Sequence, residues 1–287
     1  MESKTKSILK VILKFVVSGI ALFIVFRNID WDQTKSVLLS TNWLWLLIAT
    51  IFFIGSKLVS AFRLNLYFQN IDLQLSKLYN LRLYWIGMFY NLFLPGGIGG
   101  DGFKVYLLNK QYGTGIKPLI QATLLDRVSG MMALIFLAGL GYLAMDQSNM
   151  PSWVYYLDLV GLFIMIPVYS FIVGKFFYQF HNSFWSTNFH SLAVQLMQVV
   201  SAYFILRSLG VQDHYLEYQI LFLISSVVAV FPFTIGGVGA RELTFIMGYQ
   251  YFGIDQNVAV AFSLLFFLIT AVSSMAGGFM RVKSKTD

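Results

Sequence analysis

Two apolar stretches of this sequence break off in glycine runs, and these breaks decide which fold the chain can adopt. The first stretch, residues 84–101, reads YWIGMFYNLFLPGGIGGD, and the second, residues 220–242, reads ILFLISSVVAVFPFTIGGVGARE. Each apolar part is shorter than the about 17–25 residues of a comfortable membrane span, and each ends in proline and glycine, which interrupt helices. Gly96-Gly97-Ile98-Gly99 aligns with Gly236-Gly237-Val238-Gly239. The pattern predicts two similar units, each with a short helix, a break and a second helix.

The composition places the chain in a membrane. Hydrophobic residues make up 57% of the 287 residues and charged residues only 11%, whereas a soluble protein has about a quarter charged residues. So few charges cannot cover a water-facing surface, which excludes an ordinary soluble enzyme. The absence of cysteine excludes a disulfide framework and a thiolate metal site. We predict an all-α, polytopic helical membrane protein that forms one domain over residues 1–287, with a net charge of +7 that suits anionic headgroups rather than nucleic acid.

Six further apolar blocks are long enough to be full membrane spans. They are Ile8–Phe26, Trp43–Ala61, Val128–Met145, Trp153–Val173, Phe189–Leu206 and Val258–Phe279. Lys and Arg gather on the cytoplasmic side of membrane proteins, and their positions here place both termini in the cytoplasm. Each full span takes the chain to the other side of the membrane. The positions of Lys and Arg therefore fit only if Tyr84–Gly100 enters and leaves on the cytoplasmic side and Ile220–Phe252 enters and leaves on the outer side. The sequence thus predicts two re-entrant hairpins in an inverted repeat, although fully spanning broken helices would give nearly the same pattern.

Three groups of charged residues lie near the predicted span ends. Arg63 falls in the loop after the second span, and Lys57, near the inner end of that span, is expected to snorkel toward water. Asp126 and Arg127 open the third span, where they are either a helix cap with an interface anchor or part of a site.

The glycine runs are the strongest indication of a functional site. Non-helical backbone at membrane depth survives only where protein buries it or where it lines a wet cavity, and paired interrupted segments of this kind point to a binding site. Helices that start near Gly102 and Glu242 would aim their N-terminal N–H groups at such a cavity, which suits a lipid phosphate. Arg241 can add a bidentate phosphate contact, while Asp101 and Glu242 can pair with basic neighbours or meet a cationic headgroup. The alternative is that the glycines only allow close helix packing.

Other polar residues can face the same cavity. Asn91 precedes the first glycine run, and Gln195, Gln198 and Ser201 share one face of a predicted span. We find no catalytic residues, no metal-ligand spacing among the histidines and no nucleotide-binding motif, so we expect neither an enzyme nor a cofactor. The candidate substrate-binding residues are Asn91, Gly96, Gly97, Gly99, Gly100, Asp101, Arg127, Gln195, Gln198, Gly236, Gly237, Gly239, Arg241 and Glu242.

Four stretches together resemble a known family. Residues 91–106 (NLFLPGGIGGDGFKVY), 125–130 (LDRVSG), 195–203 (QLMQVVSAY) and 232–242 (PFTIGGVGARE) are similar, in order and spacing, to the signatures of the lysylphosphatidylglycerol synthase transmembrane-region family, the flippase-like domain. The resemblance implies transfer of a lipid between leaflets of a prokaryotic cytoplasmic membrane. The matching charged positions are Asp101, Arg127, Arg241 and Glu242.

The resemblance leaves the lipid open. The given sequence ends at Asp287, soon after its last span, without the soluble aminoacyltransferase domain of the bifunctional members, so we do not expect lysylphosphatidylglycerol synthesis. The lipid is then a phospholipid, an aminoacyl-phospholipid or a polyprenyl phosphate, and a second copy of the chain or a separate synthase would be the protein partner. Two alternatives stay open: a polyprenyl-phosphate-dependent membrane glycosyltransferase that uses Asp30-Trp31-Asp32, and an accessory subunit that presents lipid to a separate synthase.

Overall fold

A computed structural model describes residues 31–93, 98–145, 151–230 and 240–282. Within these ranges the chain forms ten α-helices and no β-strand, which confirms the predicted all-α class. Short 3₁₀ helices cover Tyr178–Ser183 and Ala276–Phe279. The α-helices are α1 (Trp31–Leu39), α2 (Trp43–Gln69), α3 (Lys77–Phe93), α4 (Gly99–Tyr112), α5 (Ile116–Ala144), α6 (Ser152–Phe176), α7 (Phe184–Ser208), α8 (Tyr215–Val230), α9 (Ala240–Phe252) and α10 (Gln256–Met275).

Five helical stretches are long and apolar enough to cross a membrane. They are Trp43–Gln69, Ile116–Ala144, Ser152–Phe176, Tyr178–Ser208 and Gln256–Phe279. Each contains or closely overlaps one of the predicted spans, and the remaining prediction, Ile8–Phe26, lies outside the described residues. The chain is therefore a multi-pass membrane protein.

Two helices extend well beyond the predicted ends of their spans. Helix α2 continues past Ala61 to Gln69, and α5 begins at Ile116 rather than at Val128. The predicted spans stop where the first charged residues interrupt the apolar block. In the structure, however, Arg63 on α2 and Asp126 on α5 form an ion pair inside the protein. Because each charge finds its partner on the neighbouring helix, neither helix needs to end there.

The first interrupted unit is an antiparallel helical hairpin. The hydroxyl of Tyr79, near the start of α3, donates a hydrogen bond to the side chain of Gln111, near the end of α4. At the other end, the backbone N–H of Gly100 donates to Asn91 Oδ1 at 2.8 Å. The first contact joins the start of α3 to the end of α4, and the second joins the end of α3 to the start of α4, so the two helices are antiparallel. Its break, residues 94–97, lies outside the described residues.

Glycine lets the backbones of the first hairpin touch. A Cβ atom placed on Gly100 would overlap the carbonyl group of Gly87 on α3, so no larger residue fits there without moving a helix. A Cβ on Gly277 would overlap the carbonyl of Trp85 in the same way. Gly100 thus allows α4 to pack closely on α3 at Gly87, and Gly277 allows the 3₁₀ helix Ala276–Phe279 to pack closely on α3 at Trp85.

The second interrupted unit has the same organisation of two short helices. Helices α8 and α9 pack against each other, with the side chain of Leu221 against Gly248. Its break, residues 231–239, lies outside the described residues. Helix α9 begins at Ala240, close to the predicted start near Glu242, and α4 begins at Gly99, slightly before the predicted start near Gly102.

The bundle places the hairpins against its most buried helices. Helix α2 packs along α7, and α5 packs on both α7 and α8. In the apolar window of the α10 span 56% of the residues are buried, against 11% in that of α6. Helix α10 therefore belongs to the interior, where it contacts both α3 and α9, while α6 presents most of its surface to lipid.

Candidate functional site

A cavity of about 350 Å³ lies where the two hairpins meet the long helices. Both hairpins line it: Asn91 from α3 and Asp101 from α4 belong to the first, and Ser226 from α8 and Arg241 from α9 belong to the second. Two parts of the sequence that are far apart therefore contribute to one site.

Charge distinguishes this cavity from an ordinary packing void. Among the described residues, its lining holds five basic and two acidic side chains, an excess of three positive charges. They are Lys57, Arg63, Lys104, Arg127 and Arg241 on the basic side, and Asp101 and Asp126 on the acidic side. An unbalanced charge of this size among membrane-spanning helices is unfavourable unless an anion or water offsets it.

One buried ion pair joins the two longest helices. Arg63 Nε of α2 lies 2.8 Å from Asp126 Oδ1 of α5, and Arg63 Nη1 donates to Ser191 Oγ of α7 at 2.8 Å. Both charged residues are buried. These charge-assisted hydrogen bonds connect three helices, so the carboxylate of Asp126 is already neutralised by a cation.

A second cluster connects the first hairpin to α5. Lys104 Nζ donates to Asp101 Oδ1 at 2.9 Å, and Arg127 Nε donates to Asp101 Oδ2. Lys104 also lies over the ring of Tyr84, 5.0 Å from its centroid. Asp101 thus holds a cation on each of its oxygens, which fixes the start of α4 against α5.

The remaining two cations rest on aromatic rings instead. Lys57 Nζ lies 4.5 Å from the centroid of Phe53, and the guanidinium of Arg241 lies 4.5 Å from that of Phe266. Neither forms an ion pair with any residue that the structure describes. Arg241 Nη1 is also buried without a hydrogen-bond partner there. A ring attracts a cation without cancelling its charge, so the rings leave the positive charge at these two positions uncompensated.

Most of the predicted site residues that can be located do meet in the cavity. Those that line it are Asn91, Asp101, Arg127, Gln195, Gln198 and Arg241. Gly99 and Gly100 are not among the lining residues, because Gly100 packs against α3. Gly96, Gly97, Gly236, Gly237 and Gly239 lie outside the described residues.

Three further expectations need correction in detail. Glu242 is buried and accepts a hydrogen bond from Ser263 Oγ at 2.9 Å, outside the cavity lining, because its side chain packs toward α10. The N–H of Gly100 does not face the cavity as a free donor, since Asn91 accepts it. Ser201 does not line the cavity with Gln195 and Gln198; its hydroxyl donates a hydrogen bond to the carbonyl of Ala49 on α2.

Four charged residues of the cavity were missed or misplaced by sequence reasoning. Arg63 is not in a loop but within α2, and Arg63 and the half-buried Lys57 both line the cavity from this helix. Asp126 is no helix cap, because α5 begins ten residues earlier in the chain, at Ile116. Lys104 was not among the candidate site residues. Ser56, Ser60 and Arg63 recur at helical spacing, and this polar face within an apolar block was the signal available.

The described residues offer little for metal binding. No three His, Asp or Glu side chains within them gather where they could hold a metal ion. The fixed cations and hydrogen-bond donors that line the cavity are groups that can recognise an anion.

A protein-family model matches most of the chain. A family model described as the lysylphosphatidylglycerol synthase TM region matches residues 11–192 and 175–278. These ranges contain both hairpins and every charged residue of the cavity. No curated protein sequence matches the chain.

Proposed function

The chain belongs to the lysylphosphatidylglycerol synthase TM region family, and from this membership we propose that it moves a phosphate-containing lipid between membrane leaflets, as a flippase or a scramblase. The family fits a membrane lipid-related role. The observation that carries the finer proposal is the cavity lined by both hairpins, with its excess of positive charge.

Electrostatics favour an anionic headgroup as the occupant. Each uncompensated cation within a membrane protein is expensive and marks a substrate or ion pathway by default. Arg241 offers a planar set of N–H donors that matches two phosphate oxygens at once, and its Nη1 has no partner among the described residues. A phosphate in the cavity would supply both the missing charge and the missing acceptor.

The two hairpins provide a route for the headgroup. We propose that they enter the membrane from opposite sides as an inverted repeat, with the cavity that both line between them. The headgroup would pass between α4 and α9 while the lipid tails stay in the bilayer. In this arrangement both termini lie in the cytoplasm, and the membrane is the cytoplasmic membrane of a prokaryote.

We propose transport without catalysis. The sequence has no nucleotide-binding motif, so the driving force would be an ion gradient or consumption of the lipid on one side. Against the glycosyltransferase alternative, Asp32 is exposed on α1 and is not among the residues that line the cavity. An accessory subunit would use the same cavity, so only the behaviour of the purified protein separates it from a transporter.

The test is reconstitution of the purified protein in liposomes. We expect chain-labelled phosphatidylglycerol or polyprenyl phosphate to move between leaflets faster than in protein-free vesicles. Movement only after a synthase is added would indicate an accessory subunit. Glycosyl transfer that is lost in Asp32→Asn, without lipid movement by the wild type, would indicate the enzyme instead. Absence of movement for every tested lipid, with folded protein in the membrane, would refute transport.

A further inference from the structure

We infer that Lys57 and Arg241 together form the phosphate site, and that the cavity selects net-anionic headgroups over headgroups that carry an ammonium group. This inference rests on the proposed function and names its substrate class. It follows from which charges in the cavity are already paired and which are not.

The acids of the cavity are already paired with cations of the protein itself. Asp101 binds Lys104 and Arg127 with its two oxygens, and Asp126 binds Arg63. These are the acidic residues of the lining as far as the structure describes it. A headgroup amine would therefore have to share these carboxylates with a built-in cation or displace it, and it would add to the excess of positive charge in the lining, which is unfavourable.

The free cations, in contrast, lie on neighbouring aromatic rings. Lys57 lies over Phe53 and Arg241 over Phe266. These two rings meet edge to face with their centroids 5.6 Å apart. The rings thus hold one cation from α2 and one from α9 in the same part of the cavity, a long helix on one side and the second hairpin on the other.

Neither cation is neutralised by an ion pair within the described residues, although Glu242 attracts the Arg241 guanidinium electrostatically. Arg63 and Arg241 both repel the Lys57 ammonium electrostatically, and the acid that attracts it, Asp126, is already bonded to Arg63. An anion placed between Lys57 and Arg241 relieves this repulsion, whereas a cationic headgroup adds to it. Selectivity of this kind comes from the penalty on the wrong ligand as much as from attraction to the right one.

The chemical class that fits is a lipid whose headgroup has a phosphate and no amine. Phosphatidylglycerol, phosphatidate and polyprenyl phosphate share this chemistry. Phosphatidylethanolamine and lysylphosphatidylglycerol each add an ammonium group. The chain would then handle the anionic lipid rather than its aminoacylated form.

The experiment compares three chain-labelled lipids in vesicles of neutral phosphatidylcholine: phosphatidylglycerol, phosphatidylethanolamine and lysylphosphatidylglycerol. We expect phosphatidylglycerol to move more than about tenfold faster than the other two, because juxtaposed like charges cost several kcal/mol. Equal rates for the three lipids would overturn the selectivity while leaving transport in place.

Two variants test the site itself. Lys57→Gln and Arg241→Gln should each slow phosphatidylglycerol about tenfold or more and reduce its advantage over lysylphosphatidylglycerol, a change in ratio that a purely structural defect would not produce. The control is Lys110→Gln, which removes an exposed charge of α4 outside the cavity. An unchanged lipid ratio in Lys57→Gln would overturn the role of Lys57.

Lipid binding separates this inference from transport. Native mass spectrometry of the detergent-solubilised protein should show preferential retention of phosphatidylglycerol over lysylphosphatidylglycerol, and loss of that preference in both variants. Preferential binding without movement would refute the proposed transport and keep the site. Absence of any preference would refute the inference whether or not lipid moves.

Discussion

The two hairpins share a sequence pattern, yet they manage charge in opposite ways. In the first, Asp101 binds Lys104 within α4 and Arg127 on α5. In the second, Arg241 rests on aromatic rings without an ion pair, and Glu242 bonds Ser263. Neutralised charge holds helices together, whereas unneutralised charge is available to a ligand. We therefore propose that the first hairpin anchors the cavity and that the second binds the ligand that enters it.

The backbone shows the same division. The start of α4 is held by Asn91, which accepts the N–H of Gly100, and by the contact between Gly100 and Gly87. No side-chain bond of this kind is seen between α8 and α9 among the described residues, where Gly248 meets only the apolar Leu221. Substitutions in the first hairpin should therefore change stability, and those in the second should change lipid movement.

The largest expected stability effect is that of Asp101→Asn. The change leaves Lys104 and Arg127 without their shared counter-charge, which should lower the free energy of unfolding by about 3 kcal/mol. Thermal unfolding in detergent measures it, with Asp213→Asn, an exposed acid, as the control. Unchanged stability in Asp101→Asn would mean that the first hairpin is not anchored by this cluster.

A smaller effect is expected from Gly100→Ala. The added methyl group would overlap the Gly87 carbonyl, and forcing the helices apart should cost about 1–3 kcal/mol. Gly102→Ala is the matched control, because a Cβ there meets nothing within 4 Å; it should be neutral or slightly stabilising, since alanine favours helix. Equal stability of the two variants would contradict the close backbone contact.

The smallest of the three is expected from Asn91→Ala. Loss of the acceptor for the Gly100 N–H should destabilise the protein by about 1 kcal/mol. Asn91→Asp keeps an acceptor oxygen at the helix start and should retain most of the stability. If both variants unfold at the wild-type temperature, the hydrogen bond does not contribute to anchoring.

The fold could largely be predicted from the sequence, whereas the charge pairing could not. Spans follow from blocks of apolar residues, and breaks follow from Pro95 and the glycine runs, which are local properties. The partner of Arg63 is 63 residues away at Asp126, so only helix packing reveals it. For the same reason, Lys57 was expected to reach water, since its sequence neighbours give no sign of the cavity that α2 lines.

The cavity residues show the same limit. Gln195, Gln198 and Arg241 were found because they stand out as polar within apolar or glycine-rich surroundings. Glu242 stood out equally, but α10 buries it against Ser263. Of the adjacent residues Arg241 and Glu242, only Arg241 lines the cavity, because α9 packs with Glu242 toward α10.

The central claim is that Arg241 binds the lipid phosphate, and the most direct measurement is the leaflet-to-leaflet rate of phosphatidylglycerol in vesicles containing Arg241→Ala beside Arg207→Ala. Arg207 is a matched control because it also lies over an aromatic ring, that of Trp45, but is exposed. We predict that Arg241→Ala abolishes protein-dependent movement while thermal unfolding shows a folded protein, and that Arg207→Ala moves lipid at the wild-type rate. Wild-type movement by a folded Arg241→Ala protein would contradict the account.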